Sequence, residues 1–149
     1  MENSQIQLVE NLNATTPALN RFVKPDDINR LVRQYGTPLY LVDEDTLHAK
    51  VRELHEAFMK FNGPTKIAYS IKANFSPAIL RAFIKDGITF DLTSIGELHF
   101  MNHCKADPAN IIYTSVTEEY EEYVEVLRFG VRRVVVSSFN GMTNLAKAA

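Results

Sequence analysis

The segment KIAYSIKANFSPAILRAFIKDGITFDLTSIGEL, residues 66–98, holds a strand-like run, a helix-like run and the start of a second such pair. Strand-like runs begin at Lys66, Ile88, Asn110 and Arg132, so each starts 22 residues after the last. Amphipathic runs fill the intervals, with N-cap residues before them and glycines after them. Four successive βα units predict parallel strands with right-handed crossovers. One evenly repeated unit favours a (β/α) barrel of the TIM type over a doubly wound sheet.

The helix-like runs carry their own start signals. Ser94 and Glu97 have the spacing of a capping box, in which each side chain binds a backbone N–H group. Thr117, with Glu118 and Glu119, is predicted to cap the next helix, because acidic side chains stabilise a helix N-terminus. The run EEYEEYVE in that helix is typical of a solvated helix face.

The part of the chain before residue 66 divides into four segments. Residues 1–24 lack a clear period and are expected to form a loosely ordered leader, so the predicted domain covers residues 25–149. Within it, PDDINRLVRQYG (25–36) predicts a short helix and TPLYLVD (37–43) a strand. A longer amphipathic helix is predicted from Asp43 onward.

Composition limits the classes of partner. The 149 residues are 46% hydrophobic and 23% charged, and the net charge is −2, which gives no electrostatic reason to expect nucleic acid or an anionic membrane. We find no apolar run of about 20 residues and no signal peptide, so a cytoplasmic protein with a small-molecule partner is expected. Cys104 stands alone, and His99 and His103 have no glutamate between them, so no metal site is predicted.

The alternation of side chains along the predicted strands (strand parity) identifies two candidate site residues, Lys72 and Asp91. Side chains alternate between the two faces of a strand, and bulky apolar residues suit the face that helices cover. The other face, which would point into the barrel, then carries Ala68, Ser70 and Lys72 from the first strand and Thr89, Asp91 and Thr93 from the second. Lys72 and Asp91 are therefore predicted near the carboxyl ends of adjacent strands, where barrels carry their chemistry.

The residues alone leave two interpretations of this pair open. Lys72 could form a structural ion pair with Asp91 or extend out of the barrel mouth. Alternatively, Lys72 could be a nucleophilic amine that forms a Schiff base, with the carboxylate stabilising the resulting charge.

Three motifs resemble one enzyme family. YGTPLYLVDEDTL (35–47), KIAYSIKAN (66–74) and ITFDLTSIGEL (88–98) are similar, in order and spacing, to the opening of the fold-type III pyridoxal-phosphate decarboxylases, whose barrel is shared with alanine racemase. The diaminopimelate decarboxylases are the most similar. The resemblance implies that Lys72 holds pyridoxal 5'-phosphate as a Schiff base and that Asp91 lies near the lysine and the cofactor. It further implies decarboxylation of a basic or diamino acid, most closely meso-diaminopimelate to lysine, by a full-length homodimer.

The number of units leads to a further expectation. A (β/α)8 barrel needs about 250 residues, so only its first half is expected here, ending near the fourth βα unit. The family's later cofactor-binding elements and its C-terminal β-domain, which would pair with residues 37–43, are not in the sequence. We therefore expect either the N-terminal part of such a decarboxylase or a catalytically inactive half barrel that serves as an oligomerisation or regulatory module.

Overall fold

The computed structural model describes residues 23–149, so the leader expected over residues 1–24 lies, apart from its last two residues, outside the described part. The chain divides into two compact units, Met1–Thr46 and Leu47–Ala149. The helices and strands are α1 (Pro25–Tyr35), α2 (Glu44–Phe58), β1 (Ala68–Ser70), α3 (Pro77–Lys85), β2 (Thr89–Leu92), α4 (Ile95–His103), β3 (Ile111–Thr114), α5 (Tyr120–Phe129), β4 (Arg133–Val135) and α6 (Phe139–Ala148). No helix within residues 23–149 is long and apolar enough to cross a bilayer.

The four strands form one parallel sheet in the order β1-β2-β3-β4. Ala68 is paired with Thr89, and Phe90 with Ile111, and the last pair of strands continues the same register. Each strand therefore lies beside the next one in sequence, as in the wall of a (β/α) barrel, whereas a doubly wound sheet reverses its strand order part of the way along. The predicted α/β class is confirmed.

The core lies between the sheet and the helices that cover it. Phe90, Leu92, Ile111 and Tyr113 are at most 1% exposed, and they belong to the set of alternating apolar positions on β2 and β3. Side chains from α3, α4 and α5 pack against them, chiefly Leu80, Leu98, Met101 and Val126. The prediction that the bulky apolar residues of β2 face the helices is confirmed.

The prediction of a strand over residues 37–43 is wrong. This segment has no strand pairing, and the Tyr40 side chain is 95% exposed. A strand is stabilised by hydrogen bonds to a neighbour, and the unit Met1–Thr46 offers residues 37–43 no strand among its described residues. A short run of consecutive apolar residues does not by itself supply that partner.

The first strand of the repeat ends earlier than predicted. β1 stops at Ser70, and Ile71–Ala73 form one turn of 3₁₀ helix that includes Lys72. The Asn74 carbonyl oxygen accepts a hydrogen bond from Tyr69 Oη at 3.1 Å, and its side chain accepts one from the Ser76 backbone N–H at 3.0 Å. These bonds turn the chain toward α3 before the strand can continue.

One of the two predicted helix caps is correct. Ser94 Oγ accepts a hydrogen bond from the Glu97 N–H at 3.3 Å, as expected of a capping box. The N-cap of α5 is Glu119, whose side chain makes no capping bond. Thr117 and Glu118 do not cap α5 either, because both side chains bind elsewhere, Thr117 to Glu122 and Glu118 to the loop after β4.

Candidate active site

The residues predicted to carry chemistry, Lys72 and Asp91, lie at the carboxyl ends of β1 and β2; we call this end of the four-stranded sheet the carboxyl-end face. Lys72 lies in the turn directly after β1, and its side chain is exposed. Asp91 lies on β2 and is half-buried. Ser70 is paired with Asp91 in the sheet register, so the chain from Ser70 onward leads Lys72 out beside Asp91. Asp91 on β2 and Lys72 in the turn after the adjacent strand β1 are thus at the same end of the sheet.

Asp91 is held by a residue other than Lys72. Its Oδ1 atom accepts a hydrogen bond from Thr114 Oγ1 on β3 at 2.8 Å. Between residues 23 and 149, no hydrogen bond or ion pair engages the Lys72 amine. The ion-pair interpretation of Lys72 and Asp91 is therefore wrong for this structure, and the amine is exposed at the carboxyl-end face.

Ser70 supplies a second polar group on the same face as Asp91. Its Oγ is buried and has no hydrogen-bond partner in the described part of the chain. Buried hydroxyl groups are nearly always hydrogen-bonded, so an unpaired one indicates a place for a polar ligand atom or an ordered water. An exposed amine, an anchored carboxylate and an unpaired hydroxyl together fit a polar aldehyde cofactor.

A second carboxylate, Glu122 on α5, organises the end of β3. It accepts hydrogen bonds from Tyr113 Oη at 2.6 Å, from Thr117 Oγ1 at 2.6 Å and from Ser115 Oγ. Burial by itself would raise the pKa of Glu122, but the three hydroxyl donors outweigh it and lower the pKa below its ordinary value. Burial, aided by the bond to Glu122, raises the pKa of Tyr113, so the phenol remains a proton donor.

The lowered pKa of Glu122 predicts a pH-dependent contribution to stability. Because the folded pKa lies below the unfolded value of about 4.3, the stabilisation is present above that value and is lost as the pH falls through the folded pKa. We expect wild type to exceed Glu122→Gln in free energy of unfolding near neutral pH, with the difference shrinking in acid. Urea denaturation at a series of pH values measures this.

The matched control for that series is Glu121→Gln, which removes the charge of an exposed neighbour on the same helix turn. Its difference from wild type should stay small and nearly constant with pH. A gap between wild type and Glu122→Gln that is the same at acid and neutral pH would contradict the assigned hydrogen bonds.

Sequence reasoning identified the carboxyl-end face but missed how its polar groups are paired. Glu122 was placed on a solvated helix face, yet it is half-buried and accepts three hydroxyl groups. The only sequence signal for this role of Glu122 was the set of hydroxyl residues that end the strands, since buried hydroxyl groups require acceptors. Among the described residues, no group of three or more His, Cys, Asp or Glu side chains could hold a metal ion.

Fold and site first define a class: an α/β protein with sequential parallel strands and an exposed lysine amine after the first of them. Comparison with known families makes this specific. Residues 45–149 match the pyridoxal binding domain of the pyridoxal-dependent decarboxylases, and the chain belongs to that family. The resemblance noted in the motifs is confirmed, and the cofactor of the family is pyridoxal phosphate.

The relatives include diaminopimelate decarboxylases. The enzyme from Zymomonas mobilis is 31% identical over 120 residues, which cover 80% of this chain and 28% of that protein. The enzyme from Methanothermobacter thermautotrophicus is 32% identical over 123 residues, which cover 83% of this chain and 28% of that protein. The chain thus spans less than a third of the length of these relatives.

Solved structures share the fold. A lysine/ornithine decarboxylase from Vibrio vulnificus, complexed with putrescine, superposes with a TM-score of 0.71 at 25% identity, covering 80% of this chain and 32% of that one. Diaminopimelate decarboxylase from Helicobacter pylori, complexed with L-lysine, gives a TM-score of 0.72 at 24% identity, covering 81% and 30%. This second likeness concerns the fold alone.

Proposed function

We propose that this chain supplies the cofactor-binding part of a pyridoxal-phosphate-dependent decarboxylase, with Lys72 as the residue that binds the cofactor covalently. The observation that carries the proposal is the position of the Lys72 amine. It is exposed directly after β1, one strand from Asp91, and no hydrogen bond or ion pair within the described residues engages it. Nucleophilic lysines act in this way on carbonyl groups.

Asp91 is the second residue of the proposed site. Thr114 donates to one of its oxygens, so the carboxylate keeps a fixed orientation from one strand away. A fixed carboxylate stabilises positive charge that develops on a nitrogen beside it, because an opposite charge favours the protonated form. The Ser70 hydroxyl, buried and unpaired among the described residues, would donate to a polar atom of the bound group.

The reaction itself depends on the cofactor. When bound, pyridoxal phosphate withdraws the electron pair that remains after the substrate loses its carboxylate. The protein binds and orients the cofactor and the substrate, and it excludes competing reactions. In this chain, Lys72 would anchor the group, Asp91 would set the local charge, and Thr114 would hold Asp91 in place.

For the substrate, we propose meso-diaminopimelate, with lysine as the product. The support comes from the relatives, several of which are named diaminopimelate decarboxylase. The test measures the release of carbon dioxide by the full-length enzyme from carboxyl-labelled meso-diaminopimelate. Ornithine, arginine and lysine, each labelled in the same way, are assayed separately as alternative substrates. Faster release from one of the other three would overturn this substrate while leaving the decarboxylase class intact.

Covalent labelling tests the cofactor site. The purified chain is incubated with pyridoxal phosphate and reduced with borohydride, and its peptides are examined by mass spectrometry. We expect the adduct predominantly on the peptide that contains Lys72. An adduct spread evenly over several surface lysines would contradict the proposal and favour the other hypothesis, an inactive half barrel that serves as an oligomerisation or regulatory module.

The proposed assembly follows the family. Residues 25–149 would form the first half of a (β/α)8 barrel, and the remainder of the barrel would cover the open edges of β1 and β4. We propose a homodimer for the full-length enzyme and the cytoplasm as its location. Sedimentation of the full-length protein tests the dimer.

A further inference from the structure

The starts of α4 and α6 repeat one pattern with one difference. Three positions correspond at a spacing of 44 residues: Thr93, Ser94 and Glu97 at α4 match Ser137, Ser138 and Gly141 at α6. Serine is the N-cap in both helices, and in both its side chain accepts a hydrogen bond from the backbone N–H three residues later. The difference is at that later position, where α4 has a glutamate and α6 has a glycine.

At α4 the glutamate completes the cap from within the helix. The Glu97 carboxylate accepts a hydrogen bond from the Thr93 backbone N–H at 2.5 Å and another from Thr93 Oγ1 at 3.2 Å. The residue before the N-cap is thereby tied to the first turn of the helix.

At α6 the same bonds go to a residue from another loop. Glu118, in the loop after β3, accepts a hydrogen bond from the Ser137 backbone N–H and one from Ser137 Oγ at 3.0 Å. Its other carboxylate oxygen accepts from Ser138 Oγ. Glu118 therefore occupies, relative to Ser137, the place that Glu97 occupies relative to Thr93.

Gly141 leaves the space that the Glu118 carboxylate fills. A Cβ atom on Gly141 would lie 2.5 Å from Cδ of Glu118 and 2.9 Å from its Oε1. Separations this short require one of the two groups to move. With Glu118 in this position, residue 141 has no room for a side chain.

Glu118 itself is held firmly in an unusual conformation. Its φ is +55°, which is uncommon for a residue with a side chain, and it is only 5% exposed. Its backbone N–H donates to Ser115 Oγ at 2.7 Å, and its carbonyl oxygen accepts from Asn144 Nδ2 at 3.0 Å. Strained backbone of this kind persists only where the surroundings hold it in place.

We propose that Glu118 is a positioning residue, which caps α6 from the neighbouring loop in place of residue 141 and locks the loops after β3 and β4 together. Ser115, which accepts from the Glu118 N–H, directly follows Thr114, and Thr114 holds Asp91. The lock is therefore continuous with the proposed site. The capping role stands without the proposed function, whereas the consequence for Lys72 and its cofactor rests on it.

Exchanging the two residues is the direct test. Gly141→Glu alone should be strongly destabilising, because its side chain meets the Glu118 carboxylate. Glu118→Gly alone should also destabilise, because it leaves the Ser137 and Ser138 donors without their acceptor. The double variant, Glu118→Gly with Gly141→Glu, should recover, because a glutamate at 141 can bind Ser137 as Glu97 binds Thr93. Coupling of about tenfold or more in the unfolding equilibrium constant is expected from urea denaturation.

A milder cycle covers the case in which Gly141→Glu does not fold. Gly141→Ala should destabilise the wild-type chain, whose Glu118 blocks the Cβ. In the Glu118→Gly background the same change should be neutral or stabilising, because alanine favours a helix over glycine. This reversal of sign supports the proposal. Additive effects in either cycle would overturn it.

Borohydride labelling separates a positioning role from a purely structural one. Under conditions in which all variants are folded, Glu118→Gly should reduce the adduct on Lys72, and the exchanged variant should restore it. Unchanged labelling in folded Glu118→Gly would overturn the link to the site. Absence of a Lys72 adduct in wild type would count against the proposed function alone, since the stability cycle is measured without cofactor.

Discussion

Lys72→Ala is expected to abolish specific attachment of pyridoxal phosphate to this chain. The amine of Lys72 is exposed at the carboxyl-end face, and no hydrogen bond or ion pair within residues 23–149 engages it. Its removal should therefore eliminate the labelled peptide while leaving the fold unchanged, because an exposed side chain contributes little to stability. Mass spectrometry after borohydride reduction measures the first effect, and urea denaturation measures the second.

Two further variants sharpen this result. Lys72→Arg keeps the positive charge but has no amine that can be deprotonated, so it should lose the adduct as completely as alanine does. Lys66→Ala is the matched control, since Lys66 is an exposed lysine just before the same strand, at its opposite end. That variant should label like wild type. If Lys72→Ala still incorporated as much pyridoxal phosphate as wild type, the assignment of Lys72 would be wrong.

Phe90→Ala is expected to produce the largest loss of stability. Phe90 is 1% exposed on β2, where it lies between Tyr69 on β1 and Ile111 on β3 in the sheet register. Truncating a fully buried phenylalanine removes its burial and leaves a cavity, at a cost of about 3–5 kcal/mol. Domains have unfolding free energies of about 5–15 kcal/mol, so this change should bring the chain close to its unfolding limit.

The control for Phe90 is the same substitution at an exposed position. Phe139 at the start of α6 is 86% exposed, so Phe139→Ala should change the unfolding free energy by about 0.5 kcal/mol or less. Both variants are measured by urea denaturation against wild type. Similar losses at the two positions would contradict the assignment of the core to the helix-covered face of the sheet.

Local patterns predicted the parts of the fold that depend on neighbours in sequence. The 22-residue period located all four strands, and the alternation in β2 identified the buried face. The cap by Ser94 was correct because its partner, the Glu97 N–H, is three residues away, whereas the Glu97 carboxylate accepts from Thr93. The same kind of reasoning failed for residues 37–43, where an apolar run was present but no strand lies beside the segment among the described residues of its own unit.

In the candidate site, too, local features were predicted from the sequence and contacts between distant residues were not. Parity predicted Lys72 and Asp91 near the carboxyl ends of neighbouring strands; Asp91 lies on β2, whereas Lys72 lies in the turn after β1. It did not reveal that Asp91 is held by Thr114, 23 residues further along the chain, rather than by the lysine. Pairings of this kind depend on side-chain distances that no periodicity encodes.

By itself, the sequence determined the order of the βα units and the family, because these depend on local periodicity and on motifs of a few residues. Only the tertiary structure decided which polar groups meet. Glu118 reaches Ser137 and Ser138, 19 and 20 residues away, and fills the space beside Gly141. The physical reason is that hydrogen-bond partners and excluded volume are defined only once parallel strands bring distant loops to the same edge of the sheet.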